Sequence, residues 1–196
     1  MAFVGMKYVV AAPLKEEKIG AAPVYDDGVV VGRAMSADIT YNRGNTALKA
    51  DDVDAENDNS ITGGSLTIGV DDVADEVQAK LLGQDVTEEG EYDETGDSAP
   101  YIGLGYIRVR RFKGVTSYVA YWIFKTQLGI NSESAATKQD TIQWQTPTLT
   151  GSLMGIQPDD GMKIKFRRRK TFTGETAEKD ARAWLNRMAN IAEEAA

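Results

Sequence analysis

The chain has 196 residues, a formal net charge of −8, no cysteine and no histidine. That length supports one sizeable core without a second domain, and the missing residue types exclude a disulfide framework, a thiolate nucleophile, a Ser-His-Asp arrangement and the common zinc sites. The first residues show no basic segment leading into a sustained apolar run, so no secretory signal is expected, and nothing approaches the roughly 18–20 apolar residues of a membrane span.

In chain order, residues 6–11 and 29–32 are short strand candidates around a polar link at 15–18. Residues 33–41 alternate, with Met35, Ala37, Ile39 and Tyr41 on one side and Ala34, Ser36, Asp38 and Thr40 on the other, which predicts a half-buried strand. Residues 42–59 read as a long polar loop holding Asp51, Asp52, Asp54, Glu56 and Asp58. A loop of that length in a domain of this size has a function or is disordered. Residues 65–70 form the next strand, with Leu66, Ile68 and Val70 alternating against Thr67 and Gly69.

The period then changes. Val73, Val77 and Leu81 recur at four-residue spacing, which predicts an amphipathic helix over 71–82 with Asp71 or Asp72 as its cap and Gly83 just past its end. Residues 84–100 follow as an acidic loop with Glu88, Glu89, Glu91, Asp93, Glu94 and Asp97.

Residues 101–130 read as a long hairpin turning at Lys113-Gly114. Pairing Phe112 with Val115 sets Ile107 opposite Ala120, Gly105 opposite Trp122 and Gly103 opposite Phe124, so large aromatics lie over glycines. One face carries Ile107, Val109, Tyr118, Ala120, Trp122 and Phe124; the other carries Leu104, Tyr106, Val119, Tyr121 and Ile123. Both faces are apolar, whereas a sandwich strand has one dry face and one wet face. The second face therefore meets either the flanking helix or a neighbouring subunit.

After a polar stretch at 131–138, residues 141–146 alternate Ile142 and Trp144 against Gln143 and Gln145, and Pro147 implies a bulge or an edge. Residues 148–153 continue as strand, 158–161 are a turn by composition, and 162–172 alternate Met162, Ile164 and Phe166 against Lys163, Lys165 and Arg167 before running on through Arg168, Arg169 and Lys170. Residues 176–193 return to helical spacing, with Ala181, Trp184, Leu185, Met188 and Ile191 on one face and Thr176 as a cap. This order predicts a mainly β, antiparallel fold with one flanking internal α-helix and a C-terminal helix, and a core that includes Ile107, Trp122, Phe124, Trp144, Val77 and Leu81.

Residues 51–97 hold 16 acidic side chains against a single Lys80, giving −15, while the remainder of the chain carries +7. This division suits self-assembly, in which the acids Asp51, Asp52, Asp54, Glu56 and Asp58 of one copy meet Arg167, Arg168 and Arg169 of another; it also suits two solvated loops and an exposed basic strand. The oxygen donors at alternate positions from Asp52 resemble a calcium loop, but the sixth-position glycine is missing and Gly63 stands where a glutamate belongs, so an EF-hand is rejected and weak divalent binding is left open. No cofactor is expected. Paired carboxylates could serve glycoside hydrolysis, yet acids this numerous pair by chance, and the chain is not expected to be an enzyme. The run 163–170 could meet nucleic-acid phosphates, against which stands an acidic chain with no other basic face.

Several short pieces, taken in order, resemble the major tail tube proteins of long, non-contractile phage tails. They are Gly5-Met-Lys-Tyr8 with Ala12-Pro-Leu14, Pro23-Val-Tyr25, Leu48-Lys-Ala-Asp-Asp52, Leu66-Thr-Ile-Gly-Val70 leading to Asp71-Asp72, and Ala79-Lys-Leu-Leu-Gly83. Ala99-Pro-Tyr-Ile-Gly-Leu-Gly105, Tyr121-Trp-Ile-Phe-Lys125 and Asp140-Thr-Ile-Gln-Trp-Gln-Thr-Pro-Thr148 continue the series. The resemblance implies a β-sandwich or β-barrel domain over 1–175, with the long loop 42–59 touching neighbouring subunits or rings, and a helical extension at 176–196. It also implies hexameric rings stacked into a tube in the virion, synthesised in the host cytoplasm, through which DNA passes without specific binding. The implied partners are further copies, tail tip or baseplate, tape measure and tail terminator proteins, with no membrane. A tube of a contractile tail or secretion machine looks similar at this level. A monomeric β-sandwich binding module using Trp122 or Trp144, and a small carboxylate hydrolase, are the readings from other classes.

Overall fold

A strand pair that is apolar on both faces needs two covers. In the computed structural model one comes from the curling sheet and the other from a helix. The structure describes residues 2–44, 46–50, 53–93, 99–129, 146, 148–158 and 163–192. In chain order the elements are β1 (Ala2–Glu16), β2 (Val24–Tyr25), β3 (Val29–Gly32), β4 (Ala34–Arg43), β5 (Thr46–Ala50), β6 (Val53–Asp58) and β7 (Ile61–Val70). Then come α1 (Asp75–Leu82), β8 (Asp85–Val86), β9 (Tyr92–Asp93), β10 (Tyr101–Phe112), β11 (Val115–Gly129), β12 (Thr148–Met154), β13 (Arg167–Thr173) and α2 (Ala177–Met188).

Nine strands form one antiparallel sheet in the order β2-β1-β10-β11-β12-β7-β4, with β13 added to β11 and β3 to β1. The outer edge of β11 is shared: residues 117–123 pair with β13 and residues 125–129 with β12. The sheet curls until β4 lies beside β1. The fold is thus mainly antiparallel β with two flanking helices.

The central hairpin keeps Phe112 opposite Val115, Ile107 opposite Ala120 and Gly105 opposite Trp122. Lys113 and Gly114 have φ of 46° and 81°, the double left-handed turn whose twist matches the flanking strands. The expected Gly103–Phe124 pairing is displaced, because the register shifts between Ile102 and Leu104 and puts Gly103 at a bulge.

Leu104, Tyr106, Val119, Tyr121 and Ile123 pack with Leu66, Ile68, Leu149 and Leu153 of the curled sheet, with Val73 just before α1 and with Leu81 on it; Val77 of α1 is partly buried against them. On the other face, Ile107, Ala120, Trp122 and Phe124 pack with Val10 and with Ala181, Trp184 and Leu185 of α2. The second face, carrying Leu104 and Tyr121, is therefore covered within the chain by the curled sheet and α1, while α2 covers the Trp122 face and shares its core. A Cβ at Gly105 would stand 2.7 Å from Leu185 and 2.9 Å from Trp122, so glycine is what lets helix and indole approach the strand. Trp122 is fully buried, and its indole N–H donates to the Tyr25 hydroxyl at 3.2 Å, which in turn donates to the Phe124 carbonyl at 2.7 Å. A bulge in β1, with Tyr8 at φ 56°, turns both Lys7 and Tyr8 toward α2, where they meet Glu178 and Asn186.

Other expectations are corrected locally. Met35 is 56 % exposed because the register shifts between Ala34 and Ser36. Asp71 and Asp72 do not cap α1: their carboxylates accept the N–H groups of Arg33, Asp72 and Val73, and the helix starts after Ala74. Gly83 does close it, at φ 72°, donating its N–H to the Ala79 carbonyl. Strand β13 begins only at Arg167, and Ile164 is exposed. Thr176 stands at the start of α2, but its hydroxyl donates to Asp180 instead of capping the backbone. Trp144 and most of the strand expected at 141–146 lie outside the described residues.

Candidate assembly surface

The expected loop 42–59 is a β-ribbon. Strands β4 and β7 pair from Ala34–Val70 to Arg43–Ile61; the Gly44 N–H then donates to the Ser60 carbonyl at 2.8 Å, and Thr46 pairs with Asp58 in the same register. β5 and β6 form a two-stranded sheet of their own, separate from the nine strands. The polar sequence conceals the ribbon because it holds too few apolar residues to mark an alternating face. Asp51 and Asp52 lie outside the described residues, and Asp54, Glu56 and Asp58 are placed on β6 by backbone alone.

Among the described residues β13 is hydrogen-bonded on one side only, to β11. An open strand edge is a template for further pairing, and cationic side chains along it restrict which partners can add. The three arginines do not act alike. Arg167 lies over two tyrosine rings, Tyr41 at 5.3 Å and Tyr121 at 5.2 Å, and Tyr106 stacks on Tyr121 at 5.3 Å. Arg168 points to the opposite face, 5.3 Å from the Phe124 ring, and Lys170 lies 5.1 Å from the Phe172 ring. Among the described residues Arg169 has no ring or carboxylate partner. The sequence expectation of one three-arginine contact thus divides into a cation closing the first core, a cation over the second, and one left on the edge.

The tyrosine cluster was not legible in the sequence. Burial is the main cause that raises the Tyr106 phenol to about 12, partly offset by the Arg167 and Arg108 cations. Burial also raises Tyr41, whose enclosed hydroxyl has no hydrogen-bond partner among the described residues. Tyr41 stands three positions before Gly44, so this cluster ties the root of the ribbon to the edge strand β13.

Several other cations are engaged within the chain. Lys125 pairs with Glu17 at 2.6 Å, and Glu178 accepts from Lys7 at 2.8 Å and Arg182 at 2.9 Å. The Lys7 hydrogen bond foremost, with Arg182, holds the Glu178 carboxyl below its ordinary value. A groove of about 470 Å³ between β13 and α2 mixes Lys170, Asp180 and Arg187 with Phe172, Trp184 and Ile191. Among the described residues no helix is long and apolar enough to cross a membrane, and no group of three acidic side chains is placed to hold a metal ion. No protein-family model matches this chain, and no curated protein matches it.

Proposed function

We propose that this chain is a structural subunit that assembles with copies of itself into stacked hexameric rings, forming a virion tail tube through which DNA passes. The observation that carries the proposal is the β5–β6 ribbon, which continues the β4–β7 hairpin in register yet, among the described residues, joins no larger sheet. The ribbon's sequence holds few apolar residues, while ordering it costs about 1–2 kcal/mol of backbone entropy per residue. Resting on another copy offsets that cost. The open edge of β13 adds a second surface for a neighbour.

Tip or baseplate, tape measure and terminator proteins would meet the tube at its ends and in its lumen. The surplus of acids over bases keeps passing DNA from adhering, since like charges raise the energy of close approach. Trp122 is buried, which counts against a binding module that reads a ligand through it. Electron microscopy of the concentrated protein tests the proposal. Six-membered rings or tubes are the expected result, and a protein that stays monomeric at every concentration contradicts it.

A further inference from the structure

The central hairpin has opposite chemistry at its two ends. At its tip, Lys113 and Gly114 make the turn, Arg111 pairs with Thr116, and the start of β1 runs alongside, with Ala2 opposite Arg111 and Phe3 opposite Arg110. The Arg108 guanidinium lies 3.7 Å from the Phe3 ring centre and the Lys113 ammonium 5.6 Å from that of Phe112. Phe3, Val4, Phe112 and Val115 are all exposed large apolar side chains. Residues 1–14 and 101–130 contain no acidic residue, so these stretches offer Arg108, Arg111 and Lys113 no carboxylate, while Arg110 donates to the Ser117 hydroxyl. Glu178, beyond β13, is already held by Lys7 and Arg182.

At the other end, the chain leaves α1 at Gly83, beside Pro100, and returns at Ala99, whose carbonyl accepts the Gln127 amide at 2.6 Å. Between these points stands the small β8–β9 ribbon, closed by hydrogen bonds of the Glu91 and Gly90 N–H groups to Thr87. Its side chains Asp85, Glu88, Glu89 and Glu91 are exposed. The backbone register sets Asp85 across from Asp93 and Val86 across from Tyr92. The twelve residues of β10 separate the two ends by about 40 Å at ~3.3 Å per residue.

We propose that the β10–β11 tip of one copy docks on the β8–β9 ribbon of another, head to tail; this rests on the self-assembly reading. The apolar rim of Phe3, Phe112 and Val115 supplies burial, and the charges fix register and partner. A head-to-tail contact joins two different surfaces, so it does not close on itself in a dimer and extends without limit unless rotation closes a ring. We assign it to the contact between stacked rings, where it repeats along the tube.

The test uses two full-length variants, Arg111→Glu with Lys113→Glu at the tip and Glu88→Lys with Glu89→Lys on the ribbon, compared with the wild type by sedimentation at low salt. Each variant alone should raise the concentration at which stacks appear by roughly tenfold or more, the factor that about 1.4 kcal/mol produces. An equimolar mixture should restore stacking, because each reversed surface then finds its complement, and restoration also shows that both variants fold. Variants that stack like the wild type, or a mixture that stays unstacked while both melt at the wild-type temperature, overturn this contact alone. A wild type that never associates overturns it together with the tube reading. Tip-dependent binding of a labelled DNA duplex at physiological salt, with stacking unchanged, would assign the tip to nucleic acid instead.

Discussion

Two long hairpins in this chain are built from the same hydrogen-bond pattern and have opposite roles. β10–β11 is apolar on both faces, keeps Gly105 where Leu185 and Trp122 press in, and lies between two cores. β4–β7 buries Leu66, Ile68 and Val70 on one strand, leaves Met35 and Asp38 exposed on the other, and then runs out of the sheet as β5–β6. Backbone ladders exchange protein–water for protein–protein hydrogen bonds at small net gain. Pairing therefore makes both hairpins, but only side-chain burial makes the first one hold the molecule together. The second is left available for contact with something else.

The largest expected break in that comparison is Trp122→Ala, which should cost roughly 3–5 kcal/mol in chemical denaturation through lost transfer and a cavity under α2. A loss below about 1 kcal/mol would contradict the buried indole. Gly105→Ala should cost about 1–3 kcal/mol, since the added methyl meets Leu185 and Trp122 inside contact distance. An unchanged midpoint would mean that α2 yields more readily than its packing implies.

Alkaline pH weakens the same region. Tyr106 is raised to about 12 from 10.0 by burial, and Tyr25 is raised further. With folded values above the unfolded one, the stabilisation is fully present below the unfolded value of 10.0 and is lost as pH rises toward 12. Melting temperature should fall steeply above pH 10, and Tyr106→Phe should make the fall shallower; parallel curves would contradict this. The smallest effect belongs to the ribbon. Replacing residues 46–58 by a short Gly-Ser turn should change denaturation by less than about 1 kcal/mol, because loop closure depends weakly on length.

The same division governs what could be read from sequence. The Gly105–Trp122 register was legible because a two-residue turn and strict alternation leave few pairings, and α1 was legible from its four-residue spacing and Gly83. Met35 was misplaced because one bulged residue reverses the side of its neighbours. The ribbon was hidden by its polarity. Of the candidate site, Arg167 was named but its setting was not: Tyr41 reaches it from a strand more than a hundred residues earlier, and no local pattern encodes that distance. The cover over the Trp122 face was equally unreadable, since the α2 stripe of Ala181, Trp184 and Leu185 matches a helix partner as well as a subunit one.

The central claim is that burial at β10–β11 holds the subunit together while the β5–β6 ribbon joins it to others. Sedimentation velocity on the wild-type and ribbon-replaced proteins, alongside their denaturation curves, addresses both halves at once. At a dilution where both are monomeric, the account predicts denaturation within about 1 kcal/mol of each other, with rings or tubes from the concentrated wild type and monomers from the replaced chain. Equal assembly by both proteins, or a wild type that remains monomeric however concentrated, would contradict it.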